Sequence, residues 1–150
     1  MITVRLAEAS DSRSLFAWRN DPLTRAASAS TDEIAWDDHL AWLERMVGSD
    51  DHRLYIATLS GVDEPVGQVR FDIVSDGISA DVSIGLNPEF RGRGLGRDVL
   101  EAGIAAFDSA LGAPIPLHAV IRPANGASIR LFESVGFTPA GGDGVLLHFR

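Results

Sequence analysis

Residues 91–97, RGRGLGR, place three glycines and three arginines directly before an apolar segment of helical period. Glycine accepts backbone conformations that other residues resist, so main-chain N–H groups can approach a ligand closely. The first N–H groups of a helix lack partners within the helix, and the helix dipole adds partial positive charge there. The stretch therefore predicts a site for phosphate oxygens, to which the arginines add formal charge. A purely structural turn is the alternative.

The glycine spacing separates this stretch from two common nucleotide loops. It lacks the Gly-Lys-Ser/Thr ending of a Walker A loop. Its glycines alternate as G-x-G-x-G, whereas the dinucleotide fingerprint is G-x-G-x-x-G followed about 20 residues later by an acidic residue. The strand at that distance, IPLHAVI, contains no acidic residue, so a Rossmann-type module is rejected.

Composition excludes several classes of protein. With no cysteine among its 150 residues, the chain has no disulfide, thiolate nucleophile or cysteine-based zinc site. Its four histidines are not spaced as a helical metal pair, so we expect no metal. A net charge of −8 argues against nucleic acid as a partner and is compatible with an amine-bearing one. No segment resembles a signal peptide or a membrane span, which favours a cytoplasmic protein without membrane contact.

Periodicity predicts the elements that must position the loop. Strands are predicted at 2–7, 53–59, 65–74, 78–86, 115–121, 137–142 and 145–150, and helices at about 11–21, 34–47, 96–110 and 125–136. Pro22 is expected to end the first helix, and residues 25–33 to form a loop. The second and third strands should form an antiparallel hairpin. This order predicts a mixed α/β sheet with helices on both faces.

Two segments carry a family resemblance. NPEFRGRGLG resembles the acetyl-coenzyme A motif of the GNAT N-acetyltransferases, [Q/R]-x-x-G-x-[G/A], here Arg91-x-x-Gly94-x-Gly96. NGASIRLFESVGF, residues 125–137, resembles the second signature of that family. The resemblance covers essentially the whole chain. It implies the GNAT fold, an α/β (α+β) arrangement of about seven strands and four helices, as a single domain of residues 1–150.

The resemblance implies a cosubstrate, acetyl-coenzyme A, and the residues that hold it. The backbone of Ile84 and Leu86 would bind the pantetheine arm, and Asn125 and Ser128 would meet the same arm. The pyrophosphate would lie on the loop amides of Arg91, Gly92, Arg93, Gly94, Leu95 and Gly96.

The resemblance does not point to a single general acid or a single general base. Many relatives have a tyrosine acid in the last helix, where this chain has Phe132. Water, another hydroxyl such as Ser128 or Tyr55, or unassisted departure of the thiolate would replace it. Asp81 and Glu89 are the candidates for the base by location, although a strand-edge Asp81 and a surface Glu89 are the structural alternatives.

The N-terminal third of the sequence narrows the range of possible amine acceptors. WRND (residues 18–21) and the His39-x-x-Trp42 spacing resemble a subgroup containing ribosomal-protein alanine acetyltransferases and amino-sugar N-acetyltransferases. The resemblance implies an acceptor cleft lined by Trp18, Arg19, Asn20, His39 and Trp42, although the tryptophans and His39 could equally be core residues. Aromatic rings suit stacking on a sugar or base, which favours a small-molecule amine, specifically a nucleotide-linked amino sugar.

Three alternatives stay open at this point. The acceptor could be a protein N-terminus, which an open, acidic groove would favour. The chain could bind acyl-coenzyme A without catalysing transfer, because Phe132 stands where many relatives have the tyrosine acid. The last predicted strand, VLLHFR, would suit a homodimer if it were an exposed sheet edge.

Overall fold

The computed structural model describes residues 1–27, 32–74, 78–142 and 147–150. Its strands are β1 (Ile2–Leu6), β2 (His52–Leu59), β3 (Gly67–Ile73), β4 (Ala80–Leu86), β5 (Leu117–Ile121), β6 (Pro139–Gly142) and β7 (Leu147–Phe149). Its helices are α1 (Ser12–Asn20), α2 (Pro22–Ala27), α3 (Trp36–Val47), α4 (Gly96–Leu111) and α5 (Gly126–Ser134). Short 3-10 turns occupy Ala9–Asp11 and Pro88–Phe90.

The strands form one sheet in the order β1-β2-β3-β4-β5-β7-β6. Every neighbouring pair is antiparallel except β4 and β5, which are parallel. That parallel pairing is confined to Ala80 with Leu117 and Asp81 with His118. Because β4 continues to Leu86 while its pairing with β5 stops, the two strands separate toward the end of β4 that leads into the glycine loop.

Each face of the sheet has its own apolar core. On the α4 face, Phe71 of β3 stacks on Phe107 of α4 with ring centroids 4.2 Å apart. A Cβ at Gly103 would lie 2.9 Å from the Cβ of Val69, so glycine lets α4 lie close to β3. On the other face, called here the α1/α3 face, a smaller buried cluster joins α1 and α3 to β2. Its members are Ala7, Leu15, Trp18, Leu43, Leu54 and Ile56.

The predicted fold class and the β2–β3 hairpin are confirmed. The chain has a fifth helix that the sequence analysis missed, because Pro22 begins α2 as well as ending the run of α1. Proline suits the first position of a helix, where its missing N–H would have no partner in any case. Consequently the predicted loop at 25–33 is helical as far as Ala27, and its residues 28–31 lie outside the described part.

The reason given for a dimer is wrong. The last strand, β7, pairs with β5 on one side and with β6 on the other. It is therefore an interior strand, and the edges of the sheet are β1 and β6. Residues 145 and 146 of the predicted last strand are not described. Among the described helices, none is long and apolar enough to cross a membrane.

Candidate active site

The glycine loop adopts the conformation that its sequence predicts. Gly92 and Gly94 both have φ of +73°, and a Cβ added at either would meet no atom within 4 Å. The glycines are therefore required by backbone conformation, since residues with a Cβ resist positive φ. Leu95, which follows Gly94, is right-handed, and α4 begins at Gly96. Such an alternation turns successive N–H groups toward one side and builds an anion-binding concavity at a helix N-terminus.

The arginine side chains of the loop add less positive charge to this concavity than the sequence predicts, because two of them are paired with carboxylates. Arg91 pairs with Asp21 at 2.9 Å and donates a hydrogen bond to Thr24, both at the start of α2. Arg97 pairs with Glu101, one turn further along α4, at 2.8 Å. The guanidinium of Arg93 lies 4.9 Å from the ring centre of Phe90. Two of the three arginines that the sequence predicts to surround the anion are thus paired with carboxylates.

The predicted pantetheine contacts lie beside the opening between β4 and β5. Ile84 and Leu86 are half-buried and follow the last pairing of β4 with β5. Across the opening, the side chain of Asn125 accepts a hydrogen bond of 3.2 Å from the N–H of Ser128. This bond caps α5 and leaves the half-buried Ser128 in its first turn. The opening is thus bordered by the residues that the sequence assigns to the cofactor arm.

No aromatic side chain is placed to donate a proton at this opening: Phe132 has no proton to donate, and Tyr55, the aromatic candidate, lies elsewhere. Phe132 is 2% exposed and packs edge-on against Phe137 at 5.0 Å. Tyr55 is 5% exposed on the α4 face of β2, separated from β4 by β3. Burial raises the pKa of Tyr55, against a smaller opposing effect of Arg53. Tyr55 is therefore ruled out as the alternative acid.

Of the two predicted bases, Asp81 lies in a polar network and Glu89 does not. Asp81 is 58% exposed and lies 3.0 Å from Nδ1 of His118, whose Nε2 lies 2.9 Å from Nδ1 of His148. The sequence analysis missed both histidines because strand pairing alone brings β4, β5 and β7 together. Glu89 lies exposed in the turn after β4. Burial and the adjacent Glu89 raise the pKa of the Glu64 carboxyl, so Glu89 belongs to a surface pair of carboxylates.

The five predicted acceptor residues fall into two groups. Trp18 is buried in the core of the α1/α3 face. Asn20 accepts from the N–H of Ile34 at 2.7 Å and donates to its carbonyl at 2.8 Å, which fixes the chain entering α3. These two residues are structural, and the remaining three, His39, Arg19 and Trp42, form a connected cluster.

His39 is completely buried and holds Arg19 in place. Its Nε2 lies 2.8 Å from the carbonyl of Ser12, which can only accept, so Nε2 carries the hydrogen and donates. Its Nδ1 then accepts from Nη1 of Arg19 at 3.0 Å. Burial is the main cause that lowers the pKa of His39, and the Arg19 charge adds to it. A neutral imidazole thus orients a cationic guanidinium. Because His39 is completely buried, it is not itself exposed to an amine substrate.

Arg19 and Trp42 lie over the polar part of the α1/α3 face. The guanidinium carbon of Arg19 is 4.0 Å from the ring centre of Trp42, and that of Arg70 on β3 is 5.8 Å away. Arg70 is the direct cross-strand neighbour of Ser83, which is exposed on β4. Because Ser83 and Asp81 alternate with the buried Val82, they point to the same face as Arg70. One open surface therefore carries the cluster of α1 and α3 together with Asp81.

Comparison with known proteins agrees with this arrangement. Residues 2–138 match the family described as the acetyltransferase (GNAT) domain. Mycothiol acetyltransferase of Thermobispora bispora is 37% identical over 82 residues, which is 55% of this chain and only 23% of that protein. The matched segment therefore spans only about a quarter of that relative's length.

Solved structures extend the likeness to 99% of the chain. Spermidine N-acetyltransferase from Vibrio cholerae, in complex with CoA and spermine, superposes with a TM-score of 0.85 at 17% identity over 93% of its own chain. That likeness shows the fold alone. The putative acetyltransferase yncA from Salmonella typhimurium, solved with acetyl-CoA, is 28% identical over 91% of its chain with a TM-score of 0.75.

The chain belongs to the GNAT acetyltransferase family. The predicted family and fold class are confirmed, and the predicted acyltransferase class is the one that this family model describes. The expected cosubstrate, acetyl-coenzyme A, agrees with the CoA-bound and acetyl-CoA-bound structures of relatives. Within the described ranges, no three histidine or acidic residues cluster as metal ligands would.

Proposed function

We propose that the chain transfers an acetyl group from acetyl-coenzyme A to the primary amine of a small molecule. The observation that carries the proposal is the loop of residues 91–96, with two left-handed glycines leading into the N-terminus of α4. The loop follows β4, beyond the point where that strand stops pairing with β5. An anion site beside an opened sheet suits a long ligand with a pyrophosphate at one end.

Each part of the proposed cosubstrate site has a separate task. The amides of residues 91–96 hold the pyrophosphate, and the backbone of Ile84 and Leu86 orients the pantetheine arm. Asn125 and Ser128 border the same arm from α5. The bound cosubstrate supplies an activated acetyl thioester, so the protein's own contribution is orientation and proton transfer.

Asp81 is the proposed general base. An amine must lose a proton to attack an acyl carbon, and the base must be able to reach the amine. Asp81 is exposed to solvent and bonded to His118, which in turn contacts His148. This chain of polar groups offers the proton a route away from Asp81. Glu89 is a weaker candidate because it follows β4 and neighbours the proposed pyrophosphate loop.

No aromatic side chain protonates the departing thiolate in this proposal, because Phe132, at the position of the tyrosine acid of many relatives, has no hydroxyl group. Ser128 carries a hydroxyl at the start of α5 and is itself one of the predicted arm contacts. We propose that Ser128 or a water molecule donates this proton.

The acceptor is proposed to be a small amine, with a nucleotide-linked amino sugar as its specific form. Stacking on tryptophan is not what supports this choice, since Trp18 is buried and Trp42 is already covered by Arg19. The support is the family together with the arginines beside Trp42. Acetylation of a protein N-terminus is less well supported, because the expected acidic groove is replaced by two arginines at this position.

Calorimetry with acetyl-coenzyme A, followed by thiol release with a panel of amines, tests the proposal. We expect binding, and turnover with a single class of amine. Asp81→Asn should lower kcat/KM by about 10²- to 10⁴-fold, the usual contribution of a general base, without changing the acetyl-coenzyme A Kd. Asp63→Asn, at an exposed aspartate in the β2–β3 connection, is the matched control. Absence of binding would overturn the proposal.

A non-catalytic acyl-coenzyme A-binding domain is the second candidate, and the buried Phe132 is the observation that favours it. Binding of acetyl-coenzyme A without thiol release on any amine would support this candidate. In that case Phe132→Tyr is the informative variant. A hydroxyl at that position would test whether the missing acid limits turnover.

A further inference from the structure

We propose that the acceptor carries an anionic group, a carboxylate or a phosphate, which binds Arg19 and Arg70 beside Trp42. This inference rests on the proposed function and specifies the acceptor of the same site. It distinguishes the acceptor from a polyamine, which is cationic throughout.

Arg19 is a half-buried cation without a carboxylate partner in the described ranges. It is half-buried on α1, and its hydrogen bond is to the neutral His39. Burial and the nearby positive charge of Arg70 lower the pKa of Arg19 to about 10. An arginine has five N–H donors, so most of those on Arg19 remain available. A cation held in this way is stabilised by an anion arriving from outside the protein.

Arg70 is a second cation beside Arg19, and its ion pair with Asp72 balances only one of the two positive charges. Its Nε lies 3.2 Å from Asp72, and that carboxylate also contacts His52 at 2.6 Å. The group of Arg19, Arg70 and Asp72 thus contains two guanidiniums and one carboxylate, which leaves it with one net positive charge. Asp81, which points to the same face, pairs with His118 rather than with either arginine.

The guanidiniums are held in place before any ligand binds. Ser12 fixes His39, and His39 fixes Arg19. The rings of His39 and Trp42 stack at 5.7 Å, and Trp42 supports Arg19 by a cation–π contact. Because the fork of an arginine matches the two oxygens of a carboxylate or phosphate, a pre-oriented arginine favours that chemistry.

The position of the pair relative to β4 suits an acceptor whose anion and amine are close together. Arg70 is paired directly with Ser83, and residues facing each other across a sheet are about 5 Å apart at Cβ. Ser83 lies between Asp81, the proposed base, and Ile84, the proposed pantetheine contact. An anion on Arg19 and Arg70 would therefore leave the amine of the same molecule close to Asp81.

Matched pairs of amines test the inference on the intact protein. Alanine against alaninamide isolates a carboxylate, and glucosamine 1-phosphate against glucosamine isolates a phosphate. Spermidine represents a cationic acceptor. We expect kcat/KM to be at least about tenfold higher for the anionic member of one pair, the gain from one charge-assisted hydrogen bond. Equal or greater activity with the neutral members, or with spermidine, would overturn the inference while leaving the proposed function intact.

Variants separate the arginines from general charge effects. Arg70→Gln, on a sheet surface, and Arg19→Met should each remove the preference for the anionic member, mainly through a higher KM. Arg13→Gln, at an exposed arginine of α1, changes the net charge equally and should leave the preference unchanged. A preference that survives in both Arg19→Met and Arg70→Gln would contradict the assignment.

A binding measurement tests the site even if no amine is acetylated. Inorganic phosphate, added in the presence of saturating coenzyme A, should raise the Tm of the wild type more than that of Arg70→Gln. Coenzyme A is included because phosphate would otherwise bind the loop of residues 91–96. An identical rise in both proteins would overturn the anion site independently of any turnover.

Discussion

At the scale of single residues, the glycines of this chain act through two different physical effects. Gly103 is required by space, because Val69 occupies the volume that a side chain would fill. Gly94 is required by its backbone conformation, because a Cβ would have open space around it but a φ of +73° resists one. The two effects predict different consequences for substitution, one on packing and the other on the loop.

Gly94→Ala should weaken the binding of acetyl-coenzyme A by tenfold or more. The alanine costs about 1–2 kcal/mol at positive φ, so the loop relaxes and its amides lose their common direction. Calorimetry gives the Kd, and chemical denaturation gives the free energy of unfolding.

Gly61→Ala is the matched control for this prediction. Gly61 also has a positive φ, +81°, with open space for a Cβ, but it lies in the turn after β2. Its substitution should lower the free energy of unfolding by a similar amount and leave the Kd unchanged. Equal Kd values for both variants would show that strain at Gly94 does not matter for the ligand.

At the scale of elements, α1 and α3 are joined by a buried histidine. His39 of α3 donates to the carbonyl of Ser12 and accepts from Arg19, both on α1. Its ring also contacts Phe16 and Trp36 with centroids 5.3 and 5.8 Å away. The orientation of Arg19 therefore depends on His39 staying neutral.

This arrangement predicts a loss of stability on mild acidification. Burial lowers the pKa of His39 below 6.5, so the unfolded chain binds a proton there that the native protein does not. The free energy of unfolding should therefore fall as pH decreases below about 6.5, by up to about 1.4 kcal/mol per pH unit from this residue. Urea denaturation between pH 7.5 and 5 measures the slope.

His39→Gln should be less stable at pH 7.5, because a buried hydrogen-bonded pair is disturbed, but less sensitive to pH. Glu44→Gln, at an exposed position of the same helix, is the control for general charge effects. A slope in His39→Gln as steep as in the wild type would assign the acid sensitivity to other groups.

At the scale of the whole molecule, an ion pair joins the proposed pyrophosphate loop to the helices of the proposed acceptor site. Arg91, the first residue of the proposed pyrophosphate loop, contacts Asp21 and Thr24 of the α1–α2 corner. Burial would raise the pKa of Asp21, but hydrogen bonds from the N–H of Thr24 and from Arg91 outweigh it and lower that pKa. The corner that follows Arg19 is thereby fixed to the loop.

Asp21→Asn should raise KM for both acetyl-coenzyme A and the amine by several-fold. Asparagine still caps α2 through Thr24, so the change removes the charge and keeps the cap. The free energy of unfolding should change by less than about 1 kcal/mol, since the pair is partly exposed.

Arg97→Gln, which breaks the exposed pair with Glu101 on α4, is the control for loss of an ion pair near the loop. It should leave the KM of the amine unchanged. A change confined to one substrate in Asp21→Asn would show that the ion pair does not connect the two regions.

Local patterns were sufficient for most of the fold and for the conformation of the glycine loop. Alternation predicted the strands, and the glycine spacing before a helix predicted an anion site, because both depend on backbone conformation at neighbouring residues. Where local signals conflicted, prediction failed. Pro22 was expected to end a helix, yet proline is also well suited to begin one.

The residues of the proposed acceptor site show which features of the molecule depended on tertiary structure. The sequence by itself predicted an acceptor group of Arg19, His39 and Trp42 together with Trp18 and Asn20, and it determined which loop has positive-φ glycines before a helix. Only the fold brought Arg70 and His118 to the same surface, buried Tyr55 on the opposite face and placed β7 inside the sheet. The physical reason is sequence distance. Helix and turn signals act between near neighbours, whereas strand pairing and burial join residues 20 to 60 positions apart, and no local pattern encodes their partners.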